Sequence, residues 1–154
     1  MKALHVRLDD WILPSAERAP GMTSEQRCRV QLYPGILSTL KAGKPITVSA
    51  YDAASRAAGG EVTYLRSDER VIILDGVYGC HGGLRPSLDL ALMVEADAAE
   101  LERRFLDFYL WKGEPEQAAG RLLQERMRDE WPHVLGQRTM VDDVVMHQVI
   151  GRTG

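Results

Sequence analysis

Long apolar runs are missing from this sequence: no stretch of the 154 residues approaches the roughly 20 needed to span a bilayer. That leaves no basis for a membrane partner. Cysteine is scarce. Cys28 and Cys80 stand alone without metal-type spacing, and read as buried or incidental thiols rather than a disulfide framework or a zinc site. A large excess of positive or negative residues is missing too. With 19 Lys and Arg against 22 Asp and Glu the formal net charge is -3, so no basic excess argues for a nucleic-acid partner. Met1-Lys2-Ala3-Leu4 runs directly into a strand-like pattern without the layout of a signal peptide, and a cytoplasmic protein is the expectation. Internal repeats and low-complexity linkers are likewise absent. The chain is 45% hydrophobic and 27% charged, an ordinary globular composition. Its length suits one domain, residues 1–154, that buries about two thirds of the unfolded chain's surface.

The pattern along the chain alternates strands with helices. Ala3 to Leu8 reads as a short strand ending at Asp9-Asp10, followed by an irregular stretch with Pro14, Pro20 and Gly21 as breakers. Thr23 or Ser24 caps a helix expected to run to about Leu32. Pro34 opens another, with Ile36, Leu37 and Leu40 on one side and Gly43 as its stop. Ile46–Ser49 and Glu61–Leu65 read as short edge strands around a loop from Tyr51 to Gly60. Val71 to Leu74 and Asp89 to Val94 are near-continuous apolar runs, the signature of parallel strands covered on both faces. Leu101, Phe105 and Phe108 form a helical stripe. Pro115 starts a further helix that Trp131-Pro132 ends, and Val144–Met146 reads as a last strand within Val141–Ile150. The expected fold is α/β, a three-layer sandwich with a mainly parallel sheet.

Several residues are candidates for chemistry. In open parallel sheets ligands bind at the carboxyl ends of strands, and Asp9 and Asp75 each end an expected strand. A carboxylate there can accept a hydroxyl proton or hold a magnesium ion; it can equally be a turn-former or a cap. Asp10, beside Asp9, suits the structural role better. Arg103-Arg104 lie on the helix after the second apolar run, either as a solvated face or as a guanidinium fork for phosphate. Tyr51-Asp52 and Arg56 could line a pocket for a planar ligand or form a solvated connector. His81, among Gly79, Gly82 and Gly83, marks a turn or an active-site loop. His5, His133 and His147 show no ligand spacing.

Taken in order, these segments resemble the uridine kinase and phosphoribulokinase family of P-loop kinases. The resemblance is carried by Val6-Arg7-Leu8-Asp9-Asp10-Trp11, then Leu37 to Lys44, then Tyr51-Asp52 with Arg56. It continues through Ile72-Ile73-Leu74-Asp75-Gly76-Val77, Asp89 to Val94, and Glu102-Arg103-Arg104. It covers essentially the whole chain, and the ordered set is more specific than any single motif. It implies an ATP- and Mg2+-dependent phosphotransferase acting on a hydroxyl of a nucleoside or other small-molecule acceptor. In that scheme Asp9 is the general base, and Asp75 the acidic residue near the metal and the γ-phosphate. Tyr51, Arg56 and Asp10 lie on the acceptor side, and Arg103 and Arg104 near the phosphates.

The sequence also departs from the family. The family places a strand, a Gly-x-x-x-x-Gly-Lys-Ser/Thr loop and a helix before the strand that carries the base, and this sequence begins at that later strand. It lacks the backbone nest for phosphates, the phosphate-binding Lys and the Ser/Thr for magnesium, so the chain as given is expected to be inactive. A truncated or wrongly started reading frame would explain this. Loss of the loop in a kinase-derived binding or dimerisation module, as a homodimer, would explain it equally. Ile12 stands where an aromatic is expected after the base, Arg56 where a base-reading His is expected, and Glu100 where the family has an arginine.

Overall fold

The computed structural model describes residues 2–147, so Gln148 to Ile150, the end of the segment expected to hold the last strand, lie outside the described residues. The chain divides into two compact units, Met1–Asp89 and Leu90–Gly154. Its strands form three two-stranded ladders: β1 (Ala3–Arg7) with β4 (Val71–Asp75), β2 (Ile46–Asp52) with β3 (Ala57–Tyr64), and β5 (Leu92–Glu95) with β6 (Asp143–Met146). The first and last ladders are parallel and the middle one is antiparallel. Helices interleave with the strands along the chain, so the architecture is mixed α/β.

In the first unit, β1 and β4 pair in register from Ala3 opposite Val71 to Arg7 opposite Asp75. Side chains alternate across a strand. Leu4, Val6, Ile72 and Leu74 therefore face the core, while His5, Arg7, Ile73 and Asp75 face away. The run Val71–Leu74 predicts a strand covered on both faces, but Ile73 is 48% exposed. Among the described residues β4 and β1 pair only with each other, so neither edge of the ladder has a further strand partner, and the face that carries Ile73 is exposed.

Helix α1 (Ser24–Cys28) starts with a complete capping box. Thr23 accepts from the Gln26 amide, and the Gln26 side chain accepts from the Thr23 amide. The helix stops earlier than the pattern predicts because Arg29 takes a left-handed conformation, φ 52°, and a 3-10 turn over Val30–Leu32 follows. Helix α2 (Tyr33–Lys41) has Pro34 in its first turn and ends before Gly43 at φ 70°, as the sequence predicts. It buries Tyr33, Ile36, Leu37 and Leu40 against Val6, Leu8, Trp11, Tyr64, Tyr78 and Leu84. A fully buried side chain such as Leu40 contributes about 1.5–3 kcal/mol.

The loop expected over Tyr51–Gly60 is mostly strand. β2 and β3 form a hairpin whose turn spans only residues 53–56, and the register shifts between Ser49 and Tyr51. Gly59 lets the strands close there, since a Cβ on it would meet the Ala50 carbonyl oxygen at 3.1 Å. The glycines around His81 form a tight turn. The His81 amide donates to the Tyr78 carbonyl, and the Gly83 amide to His81 Nδ1.

In the second unit, α3 (Ala98–Trp111) is capped by Asp97, which accepts from the Glu100 amide. Its stripe is only partly buried. Tyr109 is its buried residue, with Phe105 and Phe108 packed on its ring, while Phe108 itself is 39% exposed. Helix α4 (Glu116–Asp129) buries Ala119 and Leu123. Trp131-Pro132 ends α4 but also opens α5 (Trp131–Gly136), because proline fits the first turn of a helix. β5 and β6 are joined beyond their ladder by Asp142, which accepts from the Ala91 amide at 2.7 Å, and by Arg138 donating to Glu95. The apolar run Asp89–Val94 predicts another doubly covered strand, yet Leu92 is 48% and Val94 69% exposed.

Candidate active site

The carboxyl end of the β1–β4 ladder brings two of the candidate carboxylates together. Arg7 lies opposite Asp75, and the chain leaves β1 directly into a 3-10 turn, Leu8–Trp11, that carries Asp9 and Asp10. Asp9 is thus in the turn that follows the strand, one residue beyond a leucine that touches Gly76. A Cβ on Gly76 would lie 2.8 Å from the Leu8 Cβ, so only glycine allows the two strand ends to approach this closely. The close approach of Leu8 and Gly76 brings the backbone beside Asp9 and the backbone beside Asp75 together at the carboxyl end of the ladder.

The environments of the two aspartates in the turn differ. Asp10 is 4% exposed. One of its oxygens accepts from the Tyr51 amide at 3.2 Å, with the Arg7 guanidinium 3.7 Å away, and the other accepts from the Tyr64 hydroxyl. It therefore ties the turn to both strands of the β2–β3 hairpin. Asp9 is exposed. Burial, then Cys28, then the Asp9 carboxylate and Tyr78, push the Tyr33 hydroxyl far above the ordinary tyrosine range, so Asp9 lies within electrostatic reach of that hydroxyl. Tyr33 stays a neutral donor at any physiological pH. Tyr64 is likewise pushed up to about 12, by burial and by its bond to Asp10.

Asp75 is exposed, with one oxygen 3.3 Å from His5 Nε2 across the outer face of the ladder. A single exposed carboxylate is the kind of donor magnesium takes, since that ion is commonly held by one or two carboxylates together with substrate phosphates. Among the described residues no three His, Cys, Asp or Glu side chains group around a common point. Asp75 is an exposed carboxylate of that kind.

Tyr51 sits in β2 rather than in a loop, with its amide on Asp10 and its hydroxyl accepting from Arg18 Nη2 at 3.1 Å. Arg56 occupies the hairpin turn with φ 57°, and its carbonyl accepts from the Ser15 amide at 2.9 Å. The hairpin is therefore fastened to the segment after Asp9 at both its strand and its turn. Arg18 is a member of this wall that the sequence pattern does not single out. It lies among breakers, where periodicity carries no signal.

Arg103 and Arg104 belong to the second unit. Both clamp Glu100: Arg103 Nε and Nη2 donate at 2.9 and 2.8 Å, and Arg104 Nε at 2.5 Å. Arg103 also reaches Asp107 at 2.6 Å. These bonds pull the Glu100 carboxyl down to about 2. The two guanidiniums are held as a fork by a carboxylate of their own helix.

No protein-family model and no curated protein matches the sequence. Solved structures do. A protein described as a possible uridine kinase from Bacillus stearothermophilus matches 93% of this chain and 71% of its own, with a TM-score of 0.56 and 19% identity. A protein provisionally described as a fructose transport system kinase from Silicibacter sp. TM1040 matches 92% of this chain and 74% of its own, with a TM-score of 0.66 and 19% identity. At that identity the likeness is one of fold. The chain carries the α/β fold of P-loop kinases, with uridine- and sugar-kinase structures among its neighbours.

Proposed function

We propose that this chain is the acceptor-side portion of a small-molecule kinase that phosphorylates a hydroxyl of a nucleoside or other small molecule, and that it does not turn over alone. The observation that carries the reading is that Asp75 ends β4 and Asp9 lies in the turn directly after its parallel partner β1, where Leu8 and Gly76 approach closely. Asp9, exposed in the turn, takes the proton of the acceptor hydroxyl. Asp75 is the carboxylate on the metal side. Tyr51 and Arg56 line the acceptor wall, and Asp10 holds that wall to the turn. MgATP, when bound, supplies the transferring phosphoryl group. A nucleotide-side role for Arg103 and Arg104 requires them to exchange Glu100 for phosphate. A single arginine contact of that type can be worth about three to five powers of ten in rate.

Calorimetry with MgATP tests the silence: binding is expected to be no tighter than millimolar, and micromolar affinity overturns it. The gene upstream of Met1 tests the kinase reading. If it encodes an in-frame strand and Gly-x-x-x-x-Gly-Lys-Ser/Thr, the extended chain should phosphorylate its acceptor and Asp9→Asn should abolish turnover with the fold intact. Wild-type turnover in that variant excludes Asp9 as the base.

A second reading is favoured by the bare ladders. Ile73 and Val94 are 48% and 69% exposed in strands whose composition is that of doubly covered ones, and an open strand edge invites pairing with another chain. In this reading the protein is a non-catalytic, kinase-derived module that homodimerises. Sedimentation equilibrium decides it: a monomer at the highest soluble concentration rules it out.

A further inference from the structure

We propose that the cavity at the amino end of the β1–β4 ladder is a second binding site, one that takes a small, multiply charged anion bearing phosphate or carboxylate groups. The cavity measures about 500 Å3 and is lined by the end of α2, Lys41 to Gly43, and by the segment 66–70 that leads into β4. That volume falls within the roughly 300–1,000 Å3 of small-molecule sites. Its place is fixed by the Arg70 amide, which donates to the Lys2 carbonyl at 3.2 Å just before both strands begin. Asp9 and Asp75 belong to the other end of the ladder. Five residues of strand, at about 3.3 Å each, set the two ends roughly 15 Å apart. The cavity is thus distinct from the candidate active site and does not depend on the role given to it.

The lining carries the cations Lys41, Arg66 and Arg70 and the carboxylates Asp68 and Glu69, and both carboxylates are already answered. Asp68 takes the Lys2 ammonium at 2.5 Å. Glu69 accepts from the Ser67 amide at 2.8 Å and from the Ser67 hydroxyl at 3.3 Å. The Ser67 amide, then other backbone amides and that hydroxyl, hold the Glu69 carboxyl below its ordinary value, and no guanidinium is among the groups that lower it. The cations are held by neutral oxygens instead. Lys41 Nζ donates to the Ser87 carbonyl at 2.7 Å. Half-buried Arg66 donates from Nε to the Glu69 carbonyl at 2.9 Å and from Nη1 to the Lys41 carbonyl at 3.5 Å. The latter oxygen belongs to the carboxyl end of α2, so Arg66 offsets a partial charge there and not an ionised group. Among the described residues none of Lys41, Arg66 and Arg70 has a carboxylate within ion-pair distance. A guanidinium pinned in its plane by two bonds offers the rest of its fork to phosphate or carboxylate oxygens. An anion carrying several charges can answer all three cations through charge-assisted bonds, where a singly charged one answers only part of them.

The chain itself, titrated at constant ionic strength with inorganic pyrophosphate, citrate and acetate and followed by calorimetry and by amide and Arg Nε–H shifts, tests this. Pyrophosphate or citrate is expected to bind at least about tenfold more tightly than acetate, moving the signals of Lys41, Arg66 and Arg70 and leaving those of Asp9 and Asp75 in place. Preference for pyrophosphate over citrate assigns the ligand as a phosphate, and the reverse as a carboxylate. Arg66→Gln should weaken binding by about tenfold or more, the worth of a hydrogen bond to a charged group. Arg66 also fastens α2 to the segment 66–70, so Arg70→Gln is the variant that separates lost binding from lost folding. Arg70 is exposed and has no side-chain bond to give up among the described residues, and its loss should weaken the anion to a similar degree with the urea midpoint unchanged. Asp68→Asn, which removes a negative charge from the lining and frees Lys2, should tighten binding. Affinity no greater than that of acetate, or unchanged in Arg70→Gln, overturns the site. Shifts confined to residues 8–11 and Asp75 place the anion at the candidate active site and overturn it equally, whereas loss of the kinase reading leaves the cavity's prediction intact.

Discussion

Gly76 and Leu8 lie so close that a Cβ on the glycine would fall 2.8 Å from the leucine's Cβ, with Leu8 itself 1% exposed. The Leu8 Cβ is rooted in its backbone and cannot swing aside, so a methyl group at 76 must push the β4 exit and the Leu8–Trp11 turn apart. Gly76→Ala is expected to destabilise the first unit by about 1–3 kcal/mol, the usual range for overpacking. It should also displace Asp9 from Asp75. Urea unfolding checks the first effect, and amide shifts across residues 8–11 the second; an unchanged midpoint contradicts the contact.

The Asp10 carboxylate joins the turn to the hairpin, and its Tyr64 partner is the more revealing one to remove. Tyr64→Phe keeps the ring stacked on Trp11, whose centroid is 5.7 Å away, but withdraws the hydroxyl from a buried carboxylate. Hydrogen bonds to charged groups are worth about 1.5–3 kcal/mol, and a loss of that size in unfolding free energy is expected. The pH dependence has a definite sign. The Tyr64 hydroxyl is held up to about 12 in the folded state, against an ordinary value of 10.0. Its contribution is therefore complete below pH 10 and is lost as pH rises through 12. Ultraviolet titration of the wild type should show a tyrosine ionising in that late window, and Tyr64→Phe should remove it.

Much of this was legible in the sequence. Pro34 and Gly43 mark the ends of α2, Thr23 the start of α1, and Val71–Leu74 the strand that ends at Asp75. These signals are local, written by caps, breakers and apolar runs. The hairpin end reads as a loop because Tyr51 to Gly60 is rich in alanine, serine and glycine, whose strand propensity is low. Its own pairs, Tyr51 with Ala58 and Asp52 with Ala57, extend the ladder that the more regular residues 46–49 and 61–64 make with each other. Arg29 was not marked as a helix end, since a left-handed arginine has no sequence signature. Burial was overestimated for Ile73, Leu92 and Val94 because composition reports what a strand is suited to, and not how many neighbours it has. Arg18 lies in an irregular stretch, where only the folded hairpin discloses its partner Tyr51.

On α3, the Arg103–Glu100–Arg104 cluster makes a prediction about acid. Glu100 is held down to about 2 by hydrogen bonds from Arg103 and then Arg104, against an ordinary value of 4.5. A depressed carboxylate contributes stability that is present above its unfolded value and lost as pH falls through the folded one. The helix should keep this contribution above pH 4.5 and lose it between there and pH 2. Side-chain carboxyl shifts of Glu100 should report a late protonation, and Glu100→Gln should make the first part of acid unfolding pH-independent at this site. Protonation of Glu100 near 4.5 contradicts the clamp. The same variant releases Arg104 while Arg103 keeps Asp107, so it should strengthen whatever phosphate affinity the second unit has, read as a shift of the Arg104 Nε–H signal with inorganic phosphate.

The bare face of β4 gives the sharpest contrast between what the sequence suggests and what the fold does. In a strand covered on both sides, Ile73→Thr would bury an unmatched hydroxyl and cost about 1–3 kcal/mol. In the ladder described here, Ile73 is 48% exposed, and threonine keeps the β-branched shape that suits a pleated surface. The expected change is within about 0.5 kcal/mol, as for an ordinary surface position. Leu40→Ala, at a site with 0% exposure, should cost about 2–5 kcal/mol in the same urea titration. If Ile73→Thr destabilises as a core substitution does, this face of β4 is covered in solution. A loss that grows with protein concentration then identifies the cover as a second copy of the chain, because only association makes apparent stability depend on concentration.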